Sequence, residues 1–251
     1  MTAINQEEFP ILKNDRILKV IKGEKPDKLP IWVMRQAGRY MPKFREFRKL
    51  HTFFEICQTP ELACEVTLMP IERFDLDAAI IFSDILVVPQ ALGLEVEMKE
   101  SVIRYNREFK KFKFEGAANR LNYVGKAITL TRKKLNGKVP LIGFSGAPIL
   151  FAKGSHYSLE KQKSLGYDVM GIDWTISPKT VRQILGDQVV QGNLDPCALY
   201  SSPDRIKDHV EEMIKGFEAR NLVVNLGHGI YPDMSEEAVE SFINAVHNVK
   251  L

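Results

Sequence analysis

The chain has 251 residues, of which 45% are hydrophobic and 27% are charged, and its formal net charge is +3. This balance is typical of a globular protein and excludes disordered, collagen-like and coiled-coil chains. The three cysteines form an odd set without a C-x-x-C pair, which argues against a disulfide framework and a structural zinc site. A reducing compartment is therefore expected.

Targeting and membrane segments are not expected. The first ten residues, MTAINQEEFP, lack the basic and apolar regions of a signal peptide. The most apolar stretch, residues 78–92, carries Asp84 at its centre and is shorter than the ~20 apolar residues that span a bilayer. The sequence therefore predicts a cytosolic protein without a membrane span.

Short apolar runs alternate with helical patterns along the chain, which is typical of βα units and a parallel sheet. Strands are predicted at residues 29–34, 78–82, 139–144, 149–152, 167–174, 188–193 and 222–227. Helices are predicted from 14 to 23, after 60, and over 117–135, 179–185, 203–219 and 235–249, with a two-stranded ribbon over 95–114. No shift in composition marks a boundary, so we expect one α/β domain over residues 1–251.

The alternation breaks once, between the apolar runs at 141–144 and 149–152. Only residues 145–148 separate them, whereas parallel neighbours need a crossover of about a dozen residues or more. The two runs are therefore expected to form a tight hairpin or one kinked strand, or to leave the parallel pattern. A part of the fold is missing at this point.

Polar residues or glycines follow each predicted parallel strand, as in the strings MRQAGR, SDI and NLGHG. Ligands of α/β barrels and open sheets bind at these carboxyl ends, so the active site is expected there. Gly143 and Gly146 match neither a dinucleotide fingerprint nor a phosphate-binding P-loop. Nucleotide cofactors are therefore not expected.

Three arginines, Arg35, Arg39 and Arg48, follow the first predicted strand. Guanidinium groups bind carboxylates through two parallel hydrogen bonds, so this set indicates a polyanionic ligand. The alternative is that they are solvated surface residues paired with Glu46. The intervening residues 36–38 favour a binding loop, because their glycine lets the backbone approach a ligand closely.

Asp84 follows the apolar run at 78–82 and precedes another, which predicts a carboxylate at the floor of an apolar cleft. The alternative is an aspartate that only caps the following helix or turn. His228 lies between two glycines after the last strand, where it contacts a ligand or serves as a structural histidine. The other four histidines are expected at the surface.

The stretch RYNREFKKFKF, residues 104–114, combines basic and aromatic residues. Such a pattern can bind single-stranded nucleic acid through stacking between cations. Alternation along a two-stranded ribbon explains it without a ligand, and a net charge of +3 is weak for a phosphate-backbone binder. We therefore expect no nucleic-acid partner.

Five long strings carry a close resemblance to a known family. They are PIWVMRQAGRYMPKFREFR (30–48), FSDILVVPQALGLEV (82–96), GYDVMGIDWT (166–175), QGNLDPCALY (191–200) and NLGHGIYPDM (225–234). They resemble the signatures of the uroporphyrinogen decarboxylases of haem biosynthesis, and the resemblance extends over nearly the whole chain.

The resemblance implies a TIM (β/α)8 barrel that forms a cytosolic homodimer with facing clefts, and a cofactor-free carboxy-lyase. The family removes the carboxyl groups of four acetate side chains of uroporphyrinogen III to give coproporphyrinogen III. The eight substrate carboxylates suit the arginines, and four inward-pointing pyrrole N–H groups suit one acceptor, Asp84. A protonated pyrrole is an electron sink for the departing CO₂, and a carboxylate in low dielectric stabilises that cation. No metal or coenzyme is then implied.

The residues that the resemblance assigns to substrate binding are Arg35, Gln36, Ala37, Gly38, Arg39, Arg48, Phe53, Asp84 and His228. Asp84 and Arg35 are also the implied catalytic residues. The proton donor is left open: Arg35 is well placed in the family pattern, but a guanidinium is a poor acid unless it is strongly perturbed.

The chain departs from the family between Pro148 and Ile149. About two βα units are absent there, including a tyrosine and a serine that contact substrate in the family. A barrel closes only when strand number, tilt and shear agree. About six complete strands are therefore expected, with an unpaired edge that favours aggregation.

Two functional hypotheses result from this departure. The first is an active decarboxylase with a rearranged, incomplete barrel. The second is an inactive chain that at most binds porphyrinogen or pairs with a full-length subunit. A third candidate, a corrinoid-dependent methyltransferase on the same type of barrel, would need a His/Cys zinc site that the sequence lacks.

Overall fold

The computed structural model describes residues 9–99, 102–105, 112–143 and 149–250. The helices are α1 (Arg16–Ile21), α2 (Pro42–Leu50), α3 (Phe53–Gln58), α4 (Pro60–Arg73), α5 (Val87–Ala91), α6 (Ala117–Arg120), α7 (Asn122–Leu135), α8 (Leu159–Lys163), α9 (Pro178–Leu185), α10 (Pro203–Gly216) and α11 (Glu236–His247). The strands are β1 (Ala79–Ile80), β2 (Val96–Lys99), β3 (Val102–Tyr105), β4 (Leu141–Ile142), β5 (Ile149–Phe151), β6 (Val169–Gly171), β7 (Val189–Leu194) and β8 (Leu222–Leu226). In these ranges no helix is long and apolar enough to cross a membrane.

A parallel sheet forms the larger part of the barrel, with the strand order β5, β6, β7, β8. Ile31 extends this sheet through a parallel bridge to Val224, whose N–H donates to Pro30 O at 2.8 Å. Asp77 N donates to Ile31 O at 2.8 Å, just before β1, and β1 pairs in parallel with β4. The first predicted strand is thus reduced to a single bridge, while the parallel α/β order is confirmed.

The ring is open between β4 and β5, since the described residues of these strands pair only with β1 and β6. The expected hairpin or kinked strand is therefore wrong: both runs stay in the parallel pattern, on either side of the opening. Residues 144–148 lie outside the described residues. Ile142 and Ile149 pack against one apolar cluster that includes Val169 and Val223, so the core continues across the two sides.

The ribbon and the long helix are confirmed with changes. Strands β2 and β3 pair antiparallel from Val96 with Tyr105 to Lys99 with Val102, and residues 106–111 of the basic aromatic stretch lie outside the described residues. The helix predicted over 117–135 is divided at Leu121 into α6 and α7.

Asp77 joins several elements at the amino-terminal side of the strands and is 1% exposed. Its Oδ1 accepts hydrogen bonds from Asn14 Nδ2 at 2.8 Å and Arg16 Nη1 at 2.9 Å. Its Oδ2 accepts one from Ile31 N at 2.8 Å and lies 3.0 Å from His247 Nε2. The side chain of His247, expected at the surface, is only 7% exposed and belongs to a network that ties α1 and α11 to the barrel.

Candidate functional site

A cavity of about 510 Å³ lies at the carboxyl ends of the first strand segment (residues 29–34, which bridges to β8 at Ile31), of β1 and of β8. Seven residues that the sequence assigned to the site line it: Arg35, Ala37, Gly38, Arg39, Arg48, Phe53 and Asp84. Six further lining residues were not foreseen: Tyr40, Phe44, Phe82, Ile230, Tyr231 and Pro232. The structure thus brings together charged residues from the range 35–84 and an apolar wall formed by residues from the ranges 40–82 and 230–232.

Gln36 differs from the other residues of the loop because its side chain is fully buried. Its Oε1 accepts a hydrogen bond from Val33 N at 3.1 Å, and its Nε2 donates one to Ala78 O at 3.0 Å. Tyr40 Oη donates to the backbone O of Gln36 at 2.8 Å. Gln36 therefore positions the loop, and its side chain faces the core instead of the cavity.

The loop itself is tightly wound. Arg35 adopts a left-handed backbone conformation with φ of 67°, which is uncommon for a residue with a side chain. Gly38 approaches it so closely that an added Cβ would lie 2.8 Å from Arg35 O. A larger residue at 38 would therefore force the loop to move.

The guanidinium groups of Arg35 and Arg39 carry unneutralised positive charge at the cavity. Neither forms an ion pair or a side-chain hydrogen bond with a described residue, and both are exposed. Glu46, the alternative partner considered above, pairs instead with Lys49 at 2.7 Å. Unpaired guanidinium groups that line one cavity are suited to an anionic ligand.

Arg48 is half-buried and donates a hydrogen bond from Nη1 to His51 O. Burial lowers the pKa of Arg48, the charge of Arg39 acts in the same direction, and Cys57 opposes both. A bound anion would relieve the repulsion between the two arginines.

Asp84 is half-buried and its two carboxylate oxygens differ. Oδ1 accepts a hydrogen bond from Leu86 N at 2.8 Å, which fixes the turn that precedes α5. Oδ2 has no hydrogen-bond partner among the described residues. The capping interpretation thus accounts for one oxygen and leaves the other available to a ligand.

Aromatic side chains form the apolar surroundings of Asp84. The ring of Phe82 lies 5.8 Å from that of Phe44 and 5.9 Å from that of Phe53, measured between centroids. Burial and the charge of Asp84 raise the pKa of the Cys57 thiol to about 12. Low polarity around a carboxylate strengthens its attraction to a cation.

His228 lies beside the cavity without lining it, and its ring contacts Trp174 at 5.8 Å and Tyr231 at 6.2 Å between centroids. Burial lowers the pKa of His228; the hydrogen bond with Gly229 O raises it, and the charges of Lys153 and Arg35 lower it further. The net effect favours the neutral imidazole.

Both glycines that flank His228 allow close contacts. A Cβ added at Gly227 would lie 2.4 Å from Trp174 N, and one added at Gly229 would lie 2.4 Å from Arg35 Cδ. The motif NLGHG therefore brings β8 against the residues that follow β6 and the first strand segment. The sequence assigned His228 to the site but did not predict its contact with Trp174.

A second cavity, of about 560 Å³, lies between the ends of β6 and β7 and helices α9 and α10. It is lined by residues that include Ser177, Asp195, Cys197, His209 and Glu212, and by none of the residues assigned from the sequence. Over the described ranges no three histidine, cysteine, aspartate or glutamate residues are grouped to hold a metal ion.

Comparison with a family model supports both the family assignment and the position of the internal deletion. The model described as "Uroporphyrinogen decarboxylase (URO-D)" matches residues 12–150 and 148–249. The chain belongs to the uroporphyrinogen decarboxylase family. The two matched stretches meet at residues 148–150, where the sequence predicted an internal deletion.

Curated members of the family align along nearly their whole length. The uroporphyrinogen decarboxylase of Dictyostelium discoideum is 38% identical over 352 residues, which cover 98% of this chain and 97% of the relative. The human protein of that name is 36% identical over 354 residues, covering 98% and 96%. The first alignment is longer than the 251-residue chain, so about 100 positions of that relative have no counterpart here.

A solved structure supports the fold alone. The chain superimposes on a methyltransferase from Methanosarcina mazei with a TM-score of 0.76 and 16% identity, covering 94% of this chain and 98% of the other. The uroporphyrinogen decarboxylase family therefore has here an incomplete (β/α)8 barrel that is open between β4 and β5.

Proposed function

We propose that this chain is a uroporphyrinogen decarboxylase, a carboxy-lyase that converts uroporphyrinogen III into coproporphyrinogen III. The observation that carries the proposal is one cavity lined both by the unpaired guanidinium groups of Arg35 and Arg39 and by Asp84. Cations suit the eight substrate carboxylates, and an acceptor oxygen suits the four pyrrole N–H groups. The identity of the substrate is inferred from the relatives, which are named uroporphyrinogen decarboxylases.

Binding is assigned to the arginines and the aromatic wall. Arg35, Arg39 and Arg48 would each hold a substrate carboxylate, since charge-assisted pairs with guanidinium groups are strong and directional. Phe53 and the neighbouring rings would pack against the pyrrole faces. Ala37 and Gly38 would let the macrocycle approach the loop, because neither places a long side chain in the cavity.

The proposed chemistry uses the substrate ring as the electron sink. A proton adds to a pyrrole carbon, and the free Oδ2 of Asp84 stabilises the resulting cation in an apolar site. The bond between the acetate methylene and its carboxylate then breaks, and its electron pair neutralises the ring as CO₂ leaves. A second proton converts the methylene into methyl while the ring loses the first, so each acetate consumes one proton. Arg35 is the proposed proton donor.

No metal or coenzyme is needed in this scheme, because the protonated ring accepts the electron pair of the broken bond. Four successive turnovers would remove the four acetate carboxyl groups. His228, favoured in its neutral form, would accept or donate a hydrogen bond at the substrate periphery without adding charge.

A second candidate is a chain that binds porphyrinogen without decarboxylating it, alone or beside a full-length subunit. The opening between β4 and β5 favours this candidate, since a wall of the cavity would be supplied there in a closed barrel. It uses the same arginines and Asp84 for binding.

Anaerobic incubation of the purified chain with uroporphyrinogen III separates the two candidates. Chromatography of the oxidised products should reveal porphyrins with seven, six, five and four carboxylates, and Asp84→Ala should abolish them. Binding of uroporphyrin without any product, beside an active full-length family member, would establish the second candidate instead.

We further propose a single domain over residues 1–251 with a deletion at 148/149, a homodimer and a cytosolic location. Ile31 and Val224, from the two matched stretches, belong to one hydrophobic core, which supports one domain. The homodimer and the cytosolic location rest on the resemblance to the family. Light scattering after size-exclusion chromatography should give twice the mass of the chain.

A further inference from the structure

We propose that Lys153 is a further substrate-binding residue, which holds a carboxylate of the tetrapyrrole next to His228. This inference rests on the proposed function, because it assigns a role at the same site. Lys153 follows β5, the first strand after the deletion, and was not among the residues expected from the sequence.

Contacts between side chains connect Lys153 to the site. Its Nζ lies 5.3 Å from the centroid of the Trp174 ring, and that ring lies 5.8 Å from the ring of His228. The three residues follow β5, β6 and β8, all of which run in parallel, so they share the carboxyl-terminal edge of the sheet. A cation over an indole face is held by the ring quadrupole while it stays accessible to an anion.

Electrostatics place Lys153 and Arg35 near the same histidine. Lys153 lies over the Trp174 ring, which contacts the ring of His228. The charges of Lys153 and Arg35 both lower the pKa of His228. Arg35 also lies against Gly229, next to His228. Lys153 and Arg35 therefore form one electropositive margin around His228.

The backbone at Lys153 is fixed by Asp173. This carboxylate is 4% exposed, and its Oδ2 accepts a hydrogen bond from Gly154 N at 2.5 Å. Its Oδ1 accepts bonds from Thr175 N at 2.9 Å and from Thr175 Oγ1 at 2.5 Å. Asp173 thus joins the turn after β5 to the end of β6 and is a positioning residue for Lys153.

The ammonium group of Lys153 is available to a ligand. The side chain is exposed, and no carboxylate of a described residue pairs with it. Asp173 is occupied by Gly154 and Thr175. Three arginines cannot hold eight carboxylates, so a fourth cation on the margin of the cavity matches the charge of the proposed substrate.

The test compares Lys153→Met and Lys153→Arg with the wild-type chain. The matched control is Lys161→Met on α8, which removes one exposed charge of the same kind away from His228. Two quantities are measured: KM and kcat for uroporphyrinogen III under anaerobic conditions, and the Kd of uroporphyrin from its absorbance change. The second quantity needs no turnover.

We expect Lys153→Met to raise KM and Kd about tenfold, the effect of losing one charge-assisted hydrogen bond, while kcat changes less than about threefold. Lys153→Arg should restore most of the affinity, and Lys161→Met should behave as wild type. Equal affinities of Lys153→Met and wild type, or equal losses in both methionine variants, would overturn the proposal.

The two proposals fail in different ways. If the wild-type chain binds uroporphyrin but forms no coproporphyrin, the proposed activity is wrong and the Lys153 variants still decide the binding role. If the wild-type chain does not bind uroporphyrin, the role of Lys153 is overturned as well. If wild type is active and Lys153→Met is unchanged, only the role of Lys153 is wrong.

Discussion

Arg35 lies against the backbone of Gly229, so that a Cβ added at residue 229 would be 2.4 Å from Arg35 Cδ. This distance is far below van der Waals contact, and the side chain of Arg35 would have to leave its position. The absence of a side chain at residue 229 is therefore a condition for the placement of a proposed catalytic residue.

We expect Gly229→Ala to lower kcat/KM for uroporphyrinogen about 100-fold, because displacement of a catalytic group by about 1 Å has effects of that size. The control is Gly125→Ala in α7, where nothing lies within 4 Å of an added Cβ. Alanine there should leave activity unchanged and stabilise the helix slightly. Full activity of Gly229→Ala would show that the observed position of Arg35 is not required.

Asp84→Asn separates charge from local structure. The asparagine Oδ1 still accepts the hydrogen bond from Leu86 N, so the turn before α5 should be retained. Loss of the negative charge removes the stabilisation of the substrate cation, and we expect kcat to fall about 100- to 1000-fold. Thermal unfolding followed by circular dichroism should show an unchanged Tm, and chromatography of the products measures the activity.

The outcome that contradicts this role is substantial product formation by Asp84→Asn at unchanged Tm. Asp84 would then serve the turn alone. A large fall in Tm would instead indicate that the aspartate supports the fold, and Asp84→Glu would test whether a displaced carboxylate restores turnover.

The alternation of apolar runs and helices predicted the parallel barrel because β6, β7 and β8 are buried on both faces. Residues 188–193, for example, form most of β7, which is buried along its whole length. The run at 29–34 was harder to interpret, since in the structure only Ile31 forms a bridge and the rest continues as the arginine loop. The hairpin expected at the deletion was wrong because both runs found parallel partners that sequence spacing cannot identify.

The candidate site was predictable where charge marks it, as at Arg35, Arg39 and Asp84. It was not predictable where the contact joins distant strands. Trp174 contacts His228 because β6 and β8 lie on either side of β7 in the sheet. The order of strands in a sheet cannot be deduced from a single sequence. Gln36 was assigned to substrate binding together with its neighbours in the loop, whereas its side chain is buried.

The network at Asp77 predicts a dependence of stability on pH. Burial alone would raise the pKa of Asp77, but hydrogen bonds from His247, Asn14, Ile31 N and Arg16 lower it on balance. A carboxyl whose folded pKa lies below its unfolded value contributes stability above the unfolded pKa and loses it as pH falls through the folded pKa. The free energy of unfolding should therefore decrease below about pH 4.

Asp77→Asn should lower the free energy of unfolding at pH 7 by about 3 kcal/mol, because Arg16 and the other donors lose a buried anion. It should also flatten the acid limb of the stability profile. Asp27→Asn is the control: Asp27 also binds Arg16, at 2.7 Å, but is 62% exposed, so its loss should have an effect below about 1 kcal/mol. Urea unfolding between pH 3 and 7 measures both, and equal effects would contradict the assigned importance of burial.

The opening of the barrel predicts unequal protection of the strands against hydrogen exchange. Strand β7 pairs on both sides, with β6 and β8, and is fully buried, whereas β5 pairs with β6 and its residues are only half-buried. Unpaired edges open more readily than central strands. Amides of residues 149–151 should therefore exchange about 100-fold faster than those of 189–194.

Exchange followed by mass spectrometry on peptides from β5 and β7 measures this difference. The comparison is made at two protein concentrations, because association of two copies along the open edge would protect β5 only at the higher one. Equal protection of β5 and β7 at both concentrations would mean that the edge is covered within one chain. The opening between β4 and β5 would then not describe the folded protein in solution.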